Sequence, residues 1–232
     1  MSIDIRGKWA FVTGASRGVG TQIAKGLADL GCNLVLHSRD LAHTAPLVAS
    51  LADKGVRVAS IAGELSNQAD VDRLLDEALA ASGGLDIVYN NAAVMTPFRE
   101  PHATVTAEEY RLSFEVNVIT PIRITHGVLP GMLAKGFGRI IQVTSGIQDV
   151  PALMAYAASK AALDKFVRDM AASLRGTGVL MNLLDPGWLR TDLGGAHAPN
   201  AVESVLPGAL VPALLDGEVH GVLFRAQDYA PR

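Results

Sequence analysis

Residues 8–31 read KWAFVTGASRGVGTQIAKGLADLG. A short apolar run enters a glycine-rich turn and leaves it in a segment whose apolar residues recur at three- and four-residue intervals up to Gly31. Those periods specify a buried strand followed by an amphipathic helix. Gly14, Gly18 and Gly20 allow a tight turn, close approach of backbone to a pyrophosphate, and close helix–strand packing. The helix amino terminus adds free N–H donors and a favourable dipole. Many strand-to-helix turns use glycine for backbone reasons alone, and the G-x-x-x-G-x-G spacing departs from the G-x-G-x-x-G fingerprint. The strand before and the helix after favour a dinucleotide site.

Outward from this unit, the same alternation continues. NLVLHS, VRVASIAG, LDIVYNN, GRIIQVTS, VLMNLLD and HGVLFRA are further strand candidates, making seven with the first. TAPLVASLADKG and ADVDRLLDEALAAS carry helical periodicity between them. Strands that are apolar at nearly every residue, joined by helices, predict an α/β doubly wound parallel sheet of about seven strands with helices on both faces. Ligands then gather at the carboxyl ends of the strands. No repeat, low-complexity tract or linker divides the 232 residues, so the chain reads as one Rossmann-type domain, 1–232, with a short substrate loop or flap at about 189–216. The apolar stretch VESVLPGALVPALLDG at 202–217 is broken by Pro207 and Pro212 and carries Glu203 and Asp216. It predicts a bent surface or flap helix and excludes a membrane span.

Hydrophobic residues make up 49% of the chain and charged residues 19%, which excludes disorder by composition. A net charge of -3, with basic residues scattered singly, offers nothing to nucleic acid or an anionic membrane. The single cysteine, Cys32, cannot form an internal disulfide, and a strand begins within the first ten residues, so the expected location is cytoplasmic. The expected partner is a small molecule.

The end of the second strand reads LHSRD. A dinucleotide fold places a ribose-binding acidic residue there. Ser38 and Arg39 instead offer a hydroxyl and a guanidinium fork suited to a ribose 2′-phosphate, with Arg17 approaching from the glycine turn. This points to NADP(H) in preference to NAD(H). Asp40, one position on, could serve a ribose hydroxyl or cap the next helix.

In SGIQDVPALMAYAASK, residues 145–160, Tyr156 and Lys160 lie four apart, on one helical face and about 6 Å apart along the axis. A nearby ammonium favours the phenolate, so Lys160 is expected to lower the pKa of Tyr156 and make it a usable acid or base. Ser145 ends the fifth strand, where its hydroxyl could orient a carbonyl.

With these residues in place the chain resembles the short-chain dehydrogenase/reductase family. TGASRGVG matches its cofactor turn, NNAA at 90–93 its strand-four motif, Ser145, Tyr156 and Lys160 its active site, and DPGWLRTD at 185–192 its Pro-Gly segment. The match covers about positions 8 to 192. The resemblance implies that Asn117, in FEVNV, holds a water in a proton relay reaching Lys160. It implies cofactor contacts from Gly14, Ser16, Arg17, Gly18, Val19, Gly20, Ser38, Arg39, Glu64, Leu65, Asn91, Ala92, Ala93, Tyr156, Lys160, Pro186, Gly187, Leu189 and Thr191, and no metal.

The chain departs from the family where it has Ala93 for glycine, Tyr89 for an aliphatic residue and Glu64 for aspartate. Its short ending, without an Asp-Gly-Gly segment, looks more like the carbonyl-reductase branch, which leaves a homodimer and a homotetramer both open. The implied reaction interconverts a ketone or aldehyde and an alcohol by hydride transfer, with Tyr156 as general acid/base. Met95, Ile147, Met154, Trp188 and His197 are candidate pocket residues. An alternative is reduction of a 3-oxoacyl thioester, for which Arg99, Arg111 and Arg123 would face an acidic carrier. A non-catalytic NADP-binding sensor is a third reading, which has no use for Tyr156 and Lys160 together.

Overall fold

Seven apolar runs form seven strands: β1 (Trp9–Val12), β2 (Asn33–Ser38), β3 (Val58–Ala62), β4 (Ile87–Asn90), β5 (Gly138–Val143), β6 (Val179–Asp185) and β7 (Leu223–Arg225). The computed structural model describes residues 2–98, 100 and 104–229. The strands make one sheet in the order β3-β2-β1-β4-β5-β6-β7, every pairing parallel. The order reverses beside β1, where Val12 lies opposite Leu36 of β2 on one side and Tyr89 of β4 on the other. Such a reversal opens a crevice at the carboxyl edge of the sheet, and the glycine turn leaves β1 at that point.

The crossovers are helices α1 (Gly18–Asp29), α2 (Leu41–Ser50), α3 (Gln68–Ser82), α4 (Ala107–Phe114), α5 (Thr120–Lys135) and α6 (Met154–Ser173). Local chemistry sets their starts. Asn67 accepts from the amides of Ala69 and Asp70 to cap α3, and Thr106 with Glu109 forms a capping box on α4. Alternate strand residues feed two cores. Ala10, Val12, Leu34, Leu36, Ile87 and Tyr89 pack on the α1 face, and Trp9, Phe11, Val35 and Val88 pack on the face of α3, α5 and α6. Among the described residues no helix is long and apolar enough to cross a membrane.

The expected bent surface helix at 202–217 is corrected by the structure. Its two prolines break it into 3₁₀ turns, Val202–Val205 and Gly208–Ala213, and Val205, Ala209 and Ala213 are completely buried. The Tyr89 hydroxyl donates to the Ala209 carbonyl at 2.8 Å, so this tyrosine in place of an aliphatic residue ties the segment to the sheet. Leu206 and Leu210 close over Gly26 of α1. A stretch this apolar belongs in the core, with Glu203, Pro207 and Asp216 left exposed, and the loop around 190–200 lies mostly at the surface apart from Ala198.

Candidate active site

The glycine turn is built around close backbone contacts. A Cβ on Gly20 would lie 2.2 Å from the Gly14 carbonyl oxygen and 2.6 Å from Asn91 Nδ2, and one on Gly14 would lie 2.9 Å from Ala92 Cα. Asn91 fastens β4 to this turn: its Nδ2 donates to the carbonyls of Thr13 (2.9 Å) and Gly14 (3.2 Å). The amides of Asn91 and Ala92 both donate to the Thr13 hydroxyl. Asn91, expected as a cofactor contact, thus has its side-chain amide engaged in shaping the turn. Among the described residues no side chain caps α1, so the first amides of Gly18, Val19 and Gly20 are left as donors for an anion beside half-buried Ser16 and exposed Arg17.

His37 is a member of this site that the sequence reading missed. It is buried at the end of β2, its Nδ1 accepts from Gly14 N at 3.3 Å, and its Nε2 lies 3.1 Å from the Gly63 carbonyl. Accepting at Nδ1 requires the Nε2–H tautomer, and burial holds the ring below its ordinary pKa. Its position directly before SRD was the only signal, and an isolated histidine in an apolar strand carries no chemistry by itself.

The two adenosine-side residues separate. Ser38 is buried, and its hydroxyl donates to the Asp40 carbonyl at 2.6 Å, which removes it from any phosphate contact in this arrangement. Ser38 is the last residue of a strand buried on both faces, and Arg39 is the first residue beyond it. Arg39 is exposed, with no hydrogen bond or ion pair among the described residues. Asp40 caps α2 through Ala42 N at 2.9 Å, the second of the two roles open to it. Arg17 pairs with Asp192 at 2.6 Å, joining the glycine turn to the loop after β6. Glu64 turns back on the Ser66 amide at 3.3 Å, and buried Leu65 accepts from the Thr120 hydroxyl. Ala93 sits half-buried just beyond.

At the other end of the crevice, Pro186 and Gly187 turn the chain after β6, with Gly187 at φ +83°. Gln227 Nε2 holds the Pro186 carbonyl at 3.0 Å, Leu189 is buried, and Thr191 approaches Gly18 while accepting from Gly194 N at 3.1 Å.

Ser145, Tyr156 and Lys160 meet between β5 and α6. Tyr156 is 7% exposed and Lys160 is 3% exposed, with the lysine Nζ 5.7 Å from the phenol ring centre. Burial raises the Tyr156 pKa to about 12, against a hydrogen bond with Ser145 that lowers it, and the Asp185 carboxylate raises it further. Burial lowers Lys160 to about 8, partly opposed by Asp164. The expectation that Lys160 pulls the Tyr156 pKa down is therefore overturned in this state. Its ammonium donates to the Val143 carbonyl at 2.8 Å, and loss of water dominates both groups.

Asn117 lies in a π-helical turn, Glu115–Ile119, between α4 and α5. Its side chain closes a pair of bonds with Val94 backbone (2.9 and 2.8 Å) and donates to the Ser159 hydroxyl at 3.0 Å, which in turn donates to the Tyr156 carbonyl. The five-residue turn disturbs the helical hydrogen-bond ladder beside α6, a common device at functional sites. Of the pocket candidates, Met95 and Ile147 are half-buried, and Trp188 and His197 are exposed. Met154 instead lines a surface groove with Tyr110, Val150 and Pro151.

The short chain dehydrogenase family model matches residues 8–201. A short-chain type dehydrogenase/reductase of Picea abies is 35% identical over 196 residues, which are 81% of this chain and 72% of that protein. A metagenomic short-chain oxidoreductase solved with NADP is 31% identical with a TM-score of 0.81, over 96% of this chain and 99% of that one. A 3-oxoacyl (acyl-carrier-protein) reductase from Agrobacterium tumefaciens C58, solved with NADP, is 26% identical with a TM-score of 0.85, over 95% and 93% of the two chains. With its glycine turn, its parallel sheet and the meeting of Ser145, Tyr156 and Lys160, the chain belongs to the short-chain dehydrogenase family.

Proposed function

We propose that this oxidoreductase uses NADP(H) to interconvert a ketone or aldehyde and an alcohol, running most readily toward the alcohol at neutral pH. The observation that carries it is the Ser145–Tyr156–Lys160 cluster, with tyrosine and lysine buried and serine half-buried, at the crevice end opposite Arg39. The bound nicotinamide would supply or accept hydride. The residues supply everything else. The Ser145 hydroxyl orients the carbonyl oxygen, and Tyr156, held protonated by its surroundings, donates a proton to that oxygen as charge develops on it. Lys160 fixes the phenol-bearing helix to β5, and the Asn117–Ser159 bond fixes it to the π turn.

Arg39, exposed and unpartnered among the described residues, supports the phosphorylated cofactor, as do the NADP-bound neighbours. Purified protein should oxidise NADPH in the presence of at least one member of a panel of ketones, aldehydes and quinones. Tyr156→Phe should lower that turnover by ~10²-fold or more while NADPH still binds. Full activity in the variant would rule the mechanism out.

The likeness to a 3-oxoacyl reductase favours a second reading, reduction of a 3-oxoacyl thioester. Its carrier-binding surface is weakly supported: Arg111 pairs with Glu108 and Arg123 with Asp72, while Arg99 lies outside the described residues. Including an acetoacetyl thioester in the panel separates the two.

A further inference from the structure

His37 stands at the carboxyl end of β2, beside the turn that leaves β1, and is 2% exposed. Two consecutive amides of that turn end on it: Gly14 N donates to its Nδ1 at 3.3 Å and Ala15 N to its carbonyl at 2.9 Å. With Nδ1 accepting, the ring proton sits on Nε2, which donates to the Gly63 carbonyl at 3.1 Å, two residues past the register partner Ile61 on β3. Gly14 is fixed from its other sides as well. Its φ is +65°, its carbonyl accepts from Asn91 Nδ2 at 3.2 Å, and Gly20 of α1 packs on that same oxygen. Asn91 thus holds Gly14 by its carbonyl, and His37 holds it by its amide. A second ring proton would set N–H against N–H at this contact, so the ring or the turn would have to move.

Val35, two residues earlier on the strand, packs on the α3 face, and His37 looks the same way. The charged groups on that side are Glu64 after β3 and Asp70 and Arg73 of α3, which hold the Glu64 amide and the Ala62 carbonyl. Glu77 pairs with Arg73, and Asp72 and Asp76 are exposed. Burial keeps the ring below its ordinary pKa, against the Gly63 carbonyl and Glu64, which both favour the proton. Helices α1 and α2 cover the opposite face, with Lys25, Asp29 and His43 exposed. Arg39 and Asp40 beyond the strand, and Arg17 beyond the turn, are exposed too. β1 and β3 carry no titratable side chain, and neither does the turn from Thr13 to Ala15.

We propose that His37 is a positioning residue of the dinucleotide site: as a neutral ring it ties the Gly14 amide to the end of β3, and the glycine turn keeps the shape that receives a pyrophosphate only while that tie is made. The inference rests on the proposed function in taking a nicotinamide coenzyme as the ligand. The tie lies in the part of the site that NADPH and NADH share, unlike Arg39, so both coenzymes depend on it alike. By linkage, a bound coenzyme keeps the second proton off the ring by the same factor as that proton weakens the coenzyme.

His37→Asn and His37→Gln each keep one of the two ring bonds. The Asn oxygen can stand in for Nδ1 and accept from Gly14 N, whereas the Gln amide nitrogen can stand in for Nε2 and donate to Gly63. NADPH and NADH dissociation constants are measured by fluorescence titration at neutral pH, with melting temperatures alongside. The ring nitrogens are followed by NMR of histidine-labelled protein with and without NADP+, and are assigned by their loss in His37→Asn. The expected ring has a bare Nδ1 and a proton on Nε2. Both coenzymes should bind His37→Asn within about threefold of wild type and His37→Gln about tenfold or more weakly, the range of a buried amide left without an acceptor. That order should hold whichever variant melts lower, which a merely structural histidine would not give. Affinities that do not separate in this order, or a neutral ring with its proton on Nδ1, overturn the proposal. On acidification the ring should take its second proton at lower pH with NADP+ bound, or stay neutral until the chain unfolds, and a higher midpoint with NADP+ overturns the proposal as well. None of these readouts needs turnover. A wild type that binds coenzyme and reduces nothing in the panel defeats the proposed function and leaves this comparison decisive, while an active wild type whose His37→Gln variant binds both coenzymes normally defeats this inference alone.

Discussion

A lysine ammonium loses more on leaving water than one carbonyl and a nearby carboxylate give back, and Lys160 is in that position. Burial brings its pKa down to about 8, with Asp164 only partly opposing. Between the ordinary value of 10.5 and about 8 the unfolded chain holds a proton that the folded chain does not, so this residue's contribution to stability rises with pH across that window. Below it the penalty is complete. Lys160→Met should therefore remove activity yet raise the melting temperature at pH 7, and its advantage over wild type should shrink as pH climbs from about 8 to about 10. Thermal scans of the two proteins at several pH values check this, and a gap that is flat or widens with pH would contradict the cause given. Tyr156 shifts the other way for the same reason, since burial disfavours whichever form is charged. Spacing in the sequence placed these two side chains together correctly. It could not show that water would be stripped from both, which depends on α6 packing on β5, where Lys160 meets the Val143 carbonyl.

Helices and strands were the most legible level, and the reason is that a parallel sheet covered on both faces writes each strand as an unbroken apolar run. β2, NLVLHS, is buried along its whole length, and so is β6. Where elements depend on distant contacts, the pattern fell short. The π turn at Glu115–Ile119 has no periodicity of its own, and the 3₁₀ turns after 202, whose prolines were plain in the sequence, imitated a bent surface helix because the sequence does not show the Tyr89 anchor and the burial that come with it. Glycines in helices show the same division. Gly20 in α1 and Gly131 in α5 both lie within helices, but a Cβ on Gly131 meets nothing within 4 Å. Gly131→Ala should stabilise the protein by about 0.5–1 kcal/mol through helix propensity. Gly20→Ala drives a methyl group into the Gly14 carbonyl, a backbone atom that cannot turn aside, and should destabilise by about 1–3 kcal/mol and abolish NADPH binding. Denaturant melts and a cofactor fluorescence titration read both, and a Gly20→Ala variant that binds NADPH normally would show that the turn has slack the structure does not reveal.

Across the whole molecule the chemistry collects at one edge of the sheet because every strand is parallel, so every strand-to-helix turn opens on the same side. Order and strand ends brought the glycine turn, Arg39's neighbourhood at the end of β2 and Ser145 to that edge in the sequence, while the remaining contacts up to Thr191 came from the family resemblance. The sequence could not tell which polar groups at that edge remain available. Ser38 and Arg39 are adjacent, yet one is spent on the Asp40 carbonyl and the other has no partner among the described residues. Arg17 is a third case, because its partner Asp192 lies on the far loop, and the pair spans from the glycine turn to the segment after Thr191. Both side chains are about two-thirds exposed, at 67% and 71%, so the pair is weak and a phosphate can displace it. If Arg39 and Arg17 both meet a 2′-phosphate, they should respond differently to substitution. Arg39→Ala should raise the NADPH dissociation constant by about tenfold or more, the range of a lost charge-assisted hydrogen bond, and leave NADH nearly unchanged. Asp192→Asn should do the opposite on a smaller scale, tightening NADPH by about twofold to fivefold as Arg17 is released. Titrating both coenzymes against both variants at low and moderate salt decides it. Equal losses for NADPH and NADH in Arg39→Ala would place the arginine away from the phosphate, and weaker NADPH binding in Asp192→Asn would mean that the Arg17–Asp192 pair holds the crevice in its binding shape.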